Sequence, residues 1–399
     1  MKKNILKVVL ISFLAVIFGL TNPLSVYALS WAEKAPMPTA RFFPSCILAS
    51  DNQIYCIGGV KDSDWLEIGT ENEAYNPEQD SWTEKEDMPT ARLPVLTYFN
   101  GLIYAMGSFE VEPRSGDEAY ILNEAYNPTT DQWTTKAPLP LDIEEEVFYS
   151  YGAFVYNNKI YLVGLIGIDA GEEQDFYRSV YEYDPLENSW QERYNQELIG
   201  DELIVFPARA SIGNKIYFFG GLDLFFELGP GLSNKVIAYN VETNTFEEKI
   251  NMPSYKVLAA ASVGPDNKIY TFGGFEEFDE DTGSPISLNN TDIYDPQTDT
   301  WEEGDPMPTA RTLPSAVLAA NNKVYVVGGQ VNPPVDINEE YDLSHLALGD
   351  DSQITSEDQQ ITQLPKTGGN PNLLLLLLSL TTITPHLIEK VKVKKGRRK

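Results

Sequence analysis

A chain of 399 residues with 29 basic and 59 acidic residues carries a formal charge of −30 and contains only two histidines and two cysteines. Three of the bases precede residue 29, and seven bases with one acid follow residue 367, so 58 acids face 19 bases in between, a net −39. Such a segment repels nucleic acid and anionic membranes at long range, and with His345 and His386 as the only imidazoles neither a histidine-assisted nucleophile nor a histidine-rich metal site is expected.

Residues 1–28 predict a secretion signal: Lys2, Lys3 and Lys7 precede an apolar stretch from Val8 to Leu20, and Val26-Tyr27-Ala28 supplies a small-residue cleavage site. That stretch is shorter than the roughly 20 apolar residues that span a bilayer. Export is therefore favoured over a transmembrane helix, with the mature chain beginning near Leu29.

The phrase Ile-Tyr-x-x-Gly-Gly then occurs at 54–59, 216–221 and 269–274, and in weaker form at 103–108, 160–165 and 324–329. A tyrosine and, seven residues on, a tryptophan follow most copies: Tyr75 and Trp82, Tyr126 and Trp133, Tyr183 and Trp190, Tyr294 and Trp301, with Phe246 replacing tryptophan after Tyr239. From Tyr55 to Tyr325 the period averages 54 residues, too long for a helical solenoid and suited to a four-stranded propeller blade.

Each copy predicts the same order of elements. Apolar runs at 44–49 and 53–57 flank Asp51-Asn52, and Asn100-Gly101, Asn157-Asn158, Gly213-Asn214, Asp266-Asn267 and Asn321-Asn322 mark equivalent hairpin turns. The second strand ends in glycines, the third carries the tyrosine, an Asn-Pro or Asp-Pro turn follows in several copies, and the fourth carries the tryptophan. The last copy lacks its tryptophan, whereas Trp31 stands alone at the start. The N-terminal strand is thus expected to complete blade 6 and remove the open edge.

From Trp31 to about Tyr341 the array resembles the kelch family of β-propellers, whose motif is a diglycine followed by spaced tyrosine and tryptophan. The resemblance implies an all-β, six-bladed ring over residues 29–343. Diglycine is replaced by Gly107-Ser108 in blade 2 and Gly164-Leu165 in blade 3. The copper oxidases that share this architecture need histidine ligands, so that activity is not implied here. No phosphate-binding loop and no cofactor or metal is expected.

Cys46 and Cys56 fall on the two strands of the first hairpin, where either a disulfide or a pair of buried thiols suits an exported chain. Met-Pro-Thr-Ala-Arg recurs so that Arg41, Arg92 and Arg311 occupy one stage of the repeat, with Lys256 equivalent. Arg41, Lys256 and Arg311 all lie fourteen residues before their hairpin tyrosine; Arg209 does not and is left out. At that stage the third and fourth copies carry acids instead: Glu144, Glu145 and Glu146, and Asp201 and Glu202. Cations around one mouth would hold carboxylate or sulfate, and the acids would accept sugar hydroxyls; the alternative is that each cation pairs with a repeated acid between blades. Connections at 166–179, 222–234 and 275–290 are expected as long loops on one face. The acids from Glu276 to Asp281 lack the spacing of an EF-hand.

Residues 344–363 read as a flexible polar spacer. Leu364-Pro365-Lys366-Thr367-Gly368, a leucine-rich run and a basic end follow, and together they resemble a Gram-positive cell-wall sorting signal over 364–399. The resemblance implies cleavage by a sortase between Thr367 and Gly368, linkage of Thr367 to peptidoglycan, and membrane contact only in the precursor. The expected function is a wall-displayed adhesion module for a glycan or an extracellular protein. The alternative is a carbohydrate-active enzyme such as a sialic-acid mutarotase or epimerase, since some bacterial six-bladed kelch proteins are such enzymes. In it Arg41, Arg92 and Arg311 hold the substrate and one of Glu144, Glu145 and Glu146 moves the proton.

Overall fold

Alternating apolar residues around short Asn- and Asp-rich turns do pair as hairpins, and the hairpins assemble into six four-stranded antiparallel blades. The structure, a computed structural model, describes residues 30–62, 67–108, 121–142, 146–169, 174–198, 204–223, 231–279, 285–329 and 333–346. Met1–Ser30 and Trp31–Lys399 form separate units, and the account that follows concerns the second. The expected signal, most of the spacer and the sorting segment lie outside the described residues.

Blade 1 consists of Ser45–Leu48, Ile54–Ile57, Asn72–Asn76 and Ser81–Lys85, and blade 2 of Val95–Phe99, Leu102–Met106, Asn123–Asn127 and Gln132–Thr135. Blade 3 has the longest strands, Glu146–Tyr156, Lys159–Asp169, Gln174–Asp184 and Ser189–Glu197. Blade 4 runs through Ala208–Ile212, Lys215–Asp223, Gly231–Asn240 and Thr245–Lys249, with Ile204–Val205 added beside its second strand. Ala260–Val263, Ile269–Phe272, Thr291–Asp295 and Thr300–Gly304 make blade 5. Blade 6 is Ser315–Leu318, Lys323–Val327 and Asn338–Asp342, completed by Trp31–Lys34 from the other end of the chain.

First strands of successive blades touch in order around the ring, and that of blade 6 touches that of blade 1. The contact is least extensive between blades 3 and 4. Closure is antiparallel, with Trp31 opposite Tyr341 and Lys34 opposite Asn338. The hairpin turns take left-handed backbone at Asn52, Asn100, Asn158, Asn267 and Asn322, the conformation that asparagine tolerates best among residues with a side chain.

Blade-to-blade bolts come from the outer strands. Trp82 Nε1 donates to the carbonyl of Ala35, Trp133 to that of Glu86, Trp190 to that of Ala137, and Trp301 to that of Ile250. Each acceptor lies where the chain leaves the preceding blade, so the outer strands of blades 1, 2, 3 and 5 are tied to their neighbours. The repeated aromatics build the ring.

Where they are described, the three expected long loops are mostly strand. In blade 3, Ile166 pairs with Tyr177 and Ile168 with Asp175; in blade 4, Leu222 pairs with Leu232 and Asp223 with Gly231; in blade 5, Phe275–Phe278 and Pro285–Ser287 pair as a small extra sheet. Continued apolar alternation through Leu165, Ile166 and Ile168 keeps the backbone in the ladder instead of releasing it.

Candidate functional site

The four aligned cations do not face a mouth. Arg41, Arg92 and Arg311 are fully buried and Lys256 nearly so. Each meets an acid on the third strand of its own blade: Arg41 Nη2 lies 2.9 Å from Glu73, Lys256 Nζ 2.7 Å from Asp292, Arg311 Nη2 2.5 Å from Glu339, and Arg92 bonds Glu124. The pairing expected as an alternative is therefore present, but inside each blade and not between blades. Thr39, Thr90 and Thr309 donate their hydroxyls to the same glutamates. This explains Thr-x-Arg: threonine and arginine clasp one carboxylate from two sides. Burial pulls the pKa of all four cations down, and the facing carboxylates partly restore it.

The same clasp explains the diglycine. Gly221 N–H donates to the Lys256 carbonyl, Gly274 N–H to that of Arg311, and Gly329 N–H to that of Arg41. A Cβ on the preceding glycine would lie 2.1 Å from the Lys256 carbonyl oxygen at Gly220, 2.3 Å from that of Arg311 at Gly273, and 2.7 Å from that of Arg41 at Gly328. Only glycine admits the next blade's clasp so closely. Blades 2 and 3, which lack the diglycine, precede blades 3 and 4, which lack the cation. The lock is present or absent as a set.

Sequence reasoning missed the acid half. It stands two residues before the third-strand tyrosine, as Glu73 before Tyr75, Glu124 before Tyr126, Asp292 before Tyr294 and Glu339 before Tyr341, while blades 3 and 4 have Tyr181 and Ile237 there. Constant spacing was the available signal. Of the expected acidic residues, Glu146 opens the first strand of blade 3 and its carboxylate accepts the Asp142 N–H at 3.0 Å; Glu144, Glu145 and Glu202 lie outside the described residues. Cys46 and Cys56 stand opposite in register and are joined by a disulfide, Cα atoms 4.1 Å apart. Leu364, Pro365, Lys366, Thr367 and Gly368 are also outside the described residues. No group of three or more potential metal ligands occurs among those described.

Asymmetry lies instead in blades 3 to 5. Among the described residues their second-to-third-strand connections continue as paired strands, raising three hairpins on one face, and the blade 1 connection carries a shorter pairing of Val60 with Ile68. The blade 5 hairpin presents exposed Glu276, Glu277 and Ile286, the last 41% exposed.

A Kelch motif model matches residues 41–89 and 258–308, which are blades 1 and 5. Human Kelch-like protein 15 is similar at 23% identity over 342 residues, 82% of this chain and 44% of that protein. Beta-scruin of Limulus polyphemus is 29% identical over 206 residues, 51% of this chain and 21% of the relative. Kelch-like protein terF of Aspergillus terreus is 30% identical over 186 residues, 45% of this chain and 38% of that protein. This chain thus spans less than half the length of these relatives. Among solved structures, YjhT superposes with a TM-score of 0.57 at 14% identity, over 76% of this chain and 95% of that one, a likeness of fold. The chain carries Kelch repeats folded as a six-bladed β-propeller of four-stranded blades.

Proposed function

We propose that this propeller is an exported, wall-anchored recognition module that binds an extracellular protein or a glycan through the raised face of blades 3 to 5. The carrying observation is the difference between the two faces: on one the second-to-third-strand connections are long and, in blades 3 to 5, paired as hairpins, while the opposite face has short turns with left-handed asparagines. Recognition surfaces sit preferentially on the variable connections of a rigid scaffold. Exposed acids beside an exposed isoleucine suit a partner with a basic and partly apolar patch, in keeping with the acidic balance of the ring. The secretion and sorting segments read from the sequence support display on a Gram-positive wall, with a sortase and peptidoglycan as partners.

The mutarotase reading finds less support among the described residues. Arg41, Arg92 and Arg311 are enclosed with their own carboxylates, and none is exposed to hold a substrate. Removing them would unlock blades before it tested any site.

Arrays of extracellular matrix proteins and of glycans, probed with the purified protein, test the recognition reading. A variant carrying Glu276→Lys, Glu277→Lys and Ile286→Ser is expected to lose about tenfold or more in affinity for the captured partner. Changes at Asn100 and Asn322 on the opposite face leave it intact. Equal binding by the rim variant, with loss in the turn variants, would reverse the assignment of faces.

A further inference from the structure

The ties that join neighbouring blades elsewhere in this ring are mostly missing from the seam between blades 3 and 4. Across the seam between blades 6 and 1, the second glycine of the diglycine bonds the next blade's cation, as Gly329 N–H does to the Arg41 carbonyl; blade 3 has Leu165 at that glycine and blade 4 has no aligned cation. The indole bolt is replaced in blade 4 by Phe246, which has no side-chain N–H to donate. First-strand serines make a further tie: Ser45 Oγ donates to the Pro94 carbonyl at 2.6 Å, and Ser315 Oγ accepts the Cys46 N–H at 3.1 Å. Gly152 stands at the same stage of blade 3, opposite Val163 as Ser45 is opposite Ile57 and Ser315 opposite Val327. First-strand contact is also least extensive here. The seam between blades 2 and 3 lacks the glycine lock too, but there Trp190 bonds the Ala137 carbonyl at 2.8 Å and Ser108 pairs with Tyr149.

What fills the seam weakens it further. Arg209, on the first strand of blade 4, is 1% exposed, and none of its guanidinium nitrogens has a hydrogen-bond partner. It packs on blade 3 where Gly152 leaves room: a Cβ added to Gly152 would lie 2.7 Å from Arg209 Cδ. Arg41, Arg92 and Arg311 each keep a glutamate, whereas no carboxylate offsets the burial of Arg209, which pushes its pKa well below the ordinary value. Ser150 and Tyr151, beside Gly152, also bury hydroxyls without a hydrogen-bond partner. Such groups regain hydration when the two surfaces part, so they favour the open seam. The contacts that remain involve outer strands and turns: Asn244 Nδ2 donates to the Arg193 carbonyl at 2.7 Å, Arg178 sits 4.8 Å over the Phe246 ring, and the Tyr156 hydroxyl bonds Glu242.

From this geometry we infer that the seam between blades 3 and 4 is the ring's opening point: its two first strands part locally under native conditions, pivoting on the outer contacts, while the locked seams stay shut. Regions that open below the global unfolding free energy are those with few ties and poorly satisfied interiors, and this seam combines both. Blades 3 and 4 each carry a raised hairpin, so opening changes the spacing between the two. Only that consequence rests on the recognition face proposed above.

Hydrogen exchange of the full protein in native buffer, read by mass spectrometry, forms the test. Amides on the first strands of blades 3 and 4 are expected to exchange about tenfold or more faster than those of Ser45–Leu48 and Ser315–Leu318, the first strands on either side of the locked seam between blades 6 and 1. Arg209→Met is expected to melt higher than the parent, because an unpaired buried charge is gone, and to slow exchange on both sides of the seam by about tenfold. Arg311→Met strands Glu339 and is expected to melt lower, which ties the gain to the cation that has no acid. The exchange pattern of the parent reads the seam whether or not either variant folds, and binding arrays read the recognition face separately, so each can fail alone. Seam strands as well protected in the parent as those of blades 1 and 6 would overturn the inference, as would an Arg209→Met protein that melts lower and exchanges faster at the seam.

Discussion

Five residues beyond the tyrosine of five third strands stands an aspartate or asparagine that joins two blades, through a single oxygen at Asp80, Asp131, Asn188 and Asp299 and through Oδ1 and Nδ2 at Asn244. Asp80 Oδ1 accepts the Tyr75 hydroxyl at 2.7 Å and the Ala35 N–H at 2.8 Å, and Asp131 Oδ1 accepts the Tyr126 hydroxyl at 2.6 Å and the Glu86 N–H at 2.8 Å. Asn188 does the same with Tyr183 and Ala137, and all three adopt left-handed backbone. The Glu86 N–H, then the Tyr126 hydroxyl, hold the Asp131 carboxyl below 3.8. For Asp80, burial pulls upward but the Ala35 N–H, Tyr75 and Lys34 outweigh it, and its pKa is also lowered. A depressed folded pKa means that the unfolded chain binds more protons in this window. The contribution is complete above about pH 4 and drains away as acidity passes the folded values. Asparagine keeps the acceptor without the proton. The double variant Asp80→Asn, Asp131→Asn is accordingly expected to lose less melting temperature than the parent between about pH 5 and about pH 2; parallel curves from calorimetry would show that these carboxylates do not set the acid limb.

At the scale of the element, the diglycine serves the neighbouring blade more than its own hairpin. Gly273 and Gly101 both have positive φ, 61° and 82°, yet a Cβ at Gly273 would strike the Arg311 carbonyl oxygen at 2.3 Å and one at Gly101 would meet nothing within 4 Å. Gly101→Ala thus costs only the left-handed penalty, about 1 kcal/mol. Gly273→Ala adds a backbone collision that loosens blade 6 from blade 5, and is expected to cost at least about 2 kcal/mol more. Urea unfolding of the pair measures the difference; equal midpoints would remove the close approach as the reason for glycine. Strand order, turn positions and closure by Trp31 were legible because aromatic spacing and Asn-rich turns are local signals. The role of the cations was not, since Arg41 and Glu73 are 32 residues apart in sequence and spacing reports alignment between copies, not contact within one. The raised hairpins escaped for another reason: in 166–179 polar residues interrupt the apolar pattern at the tip, and the ladder on either side was taken for loop. Arg209 was set aside because it broke the register. Breaking the register is what left it without an acid.

For the molecule as a whole, five blades close on contiguous chain, and the sixth closes across the full length of the ring. Trp31 stacks on Tyr341 at 4.6 Å, meets Phe272 edge-on at 5.8 Å, and donates its indole N–H to the Asp305 carbonyl at 3.1 Å. Lys34 adds an ion pair with Glu340 at 3.4 Å. Trp82 makes the equivalent bond to the preceding blade from a strand already joined to its own blade by a hairpin, so its loss leaves a strand in place. Trp31 has no such tether; when its strand leaves, Asn338–Asp342 becomes an open edge that another chain can pair with. Trp31→Ala is expected to lower unfolding free energy by about 3 to 5 kcal/mol and, unlike Trp82→Ala, to raise amide exchange across 315–342 and produce concentration-dependent oligomers. Light scattering and hydrogen exchange on the two variants decide between a closing strand and an ordinary outer one. If both remain monomeric with equal protection in blade 6, the ring is held by packing of its inner strands, and the N-terminal strand is only its cover.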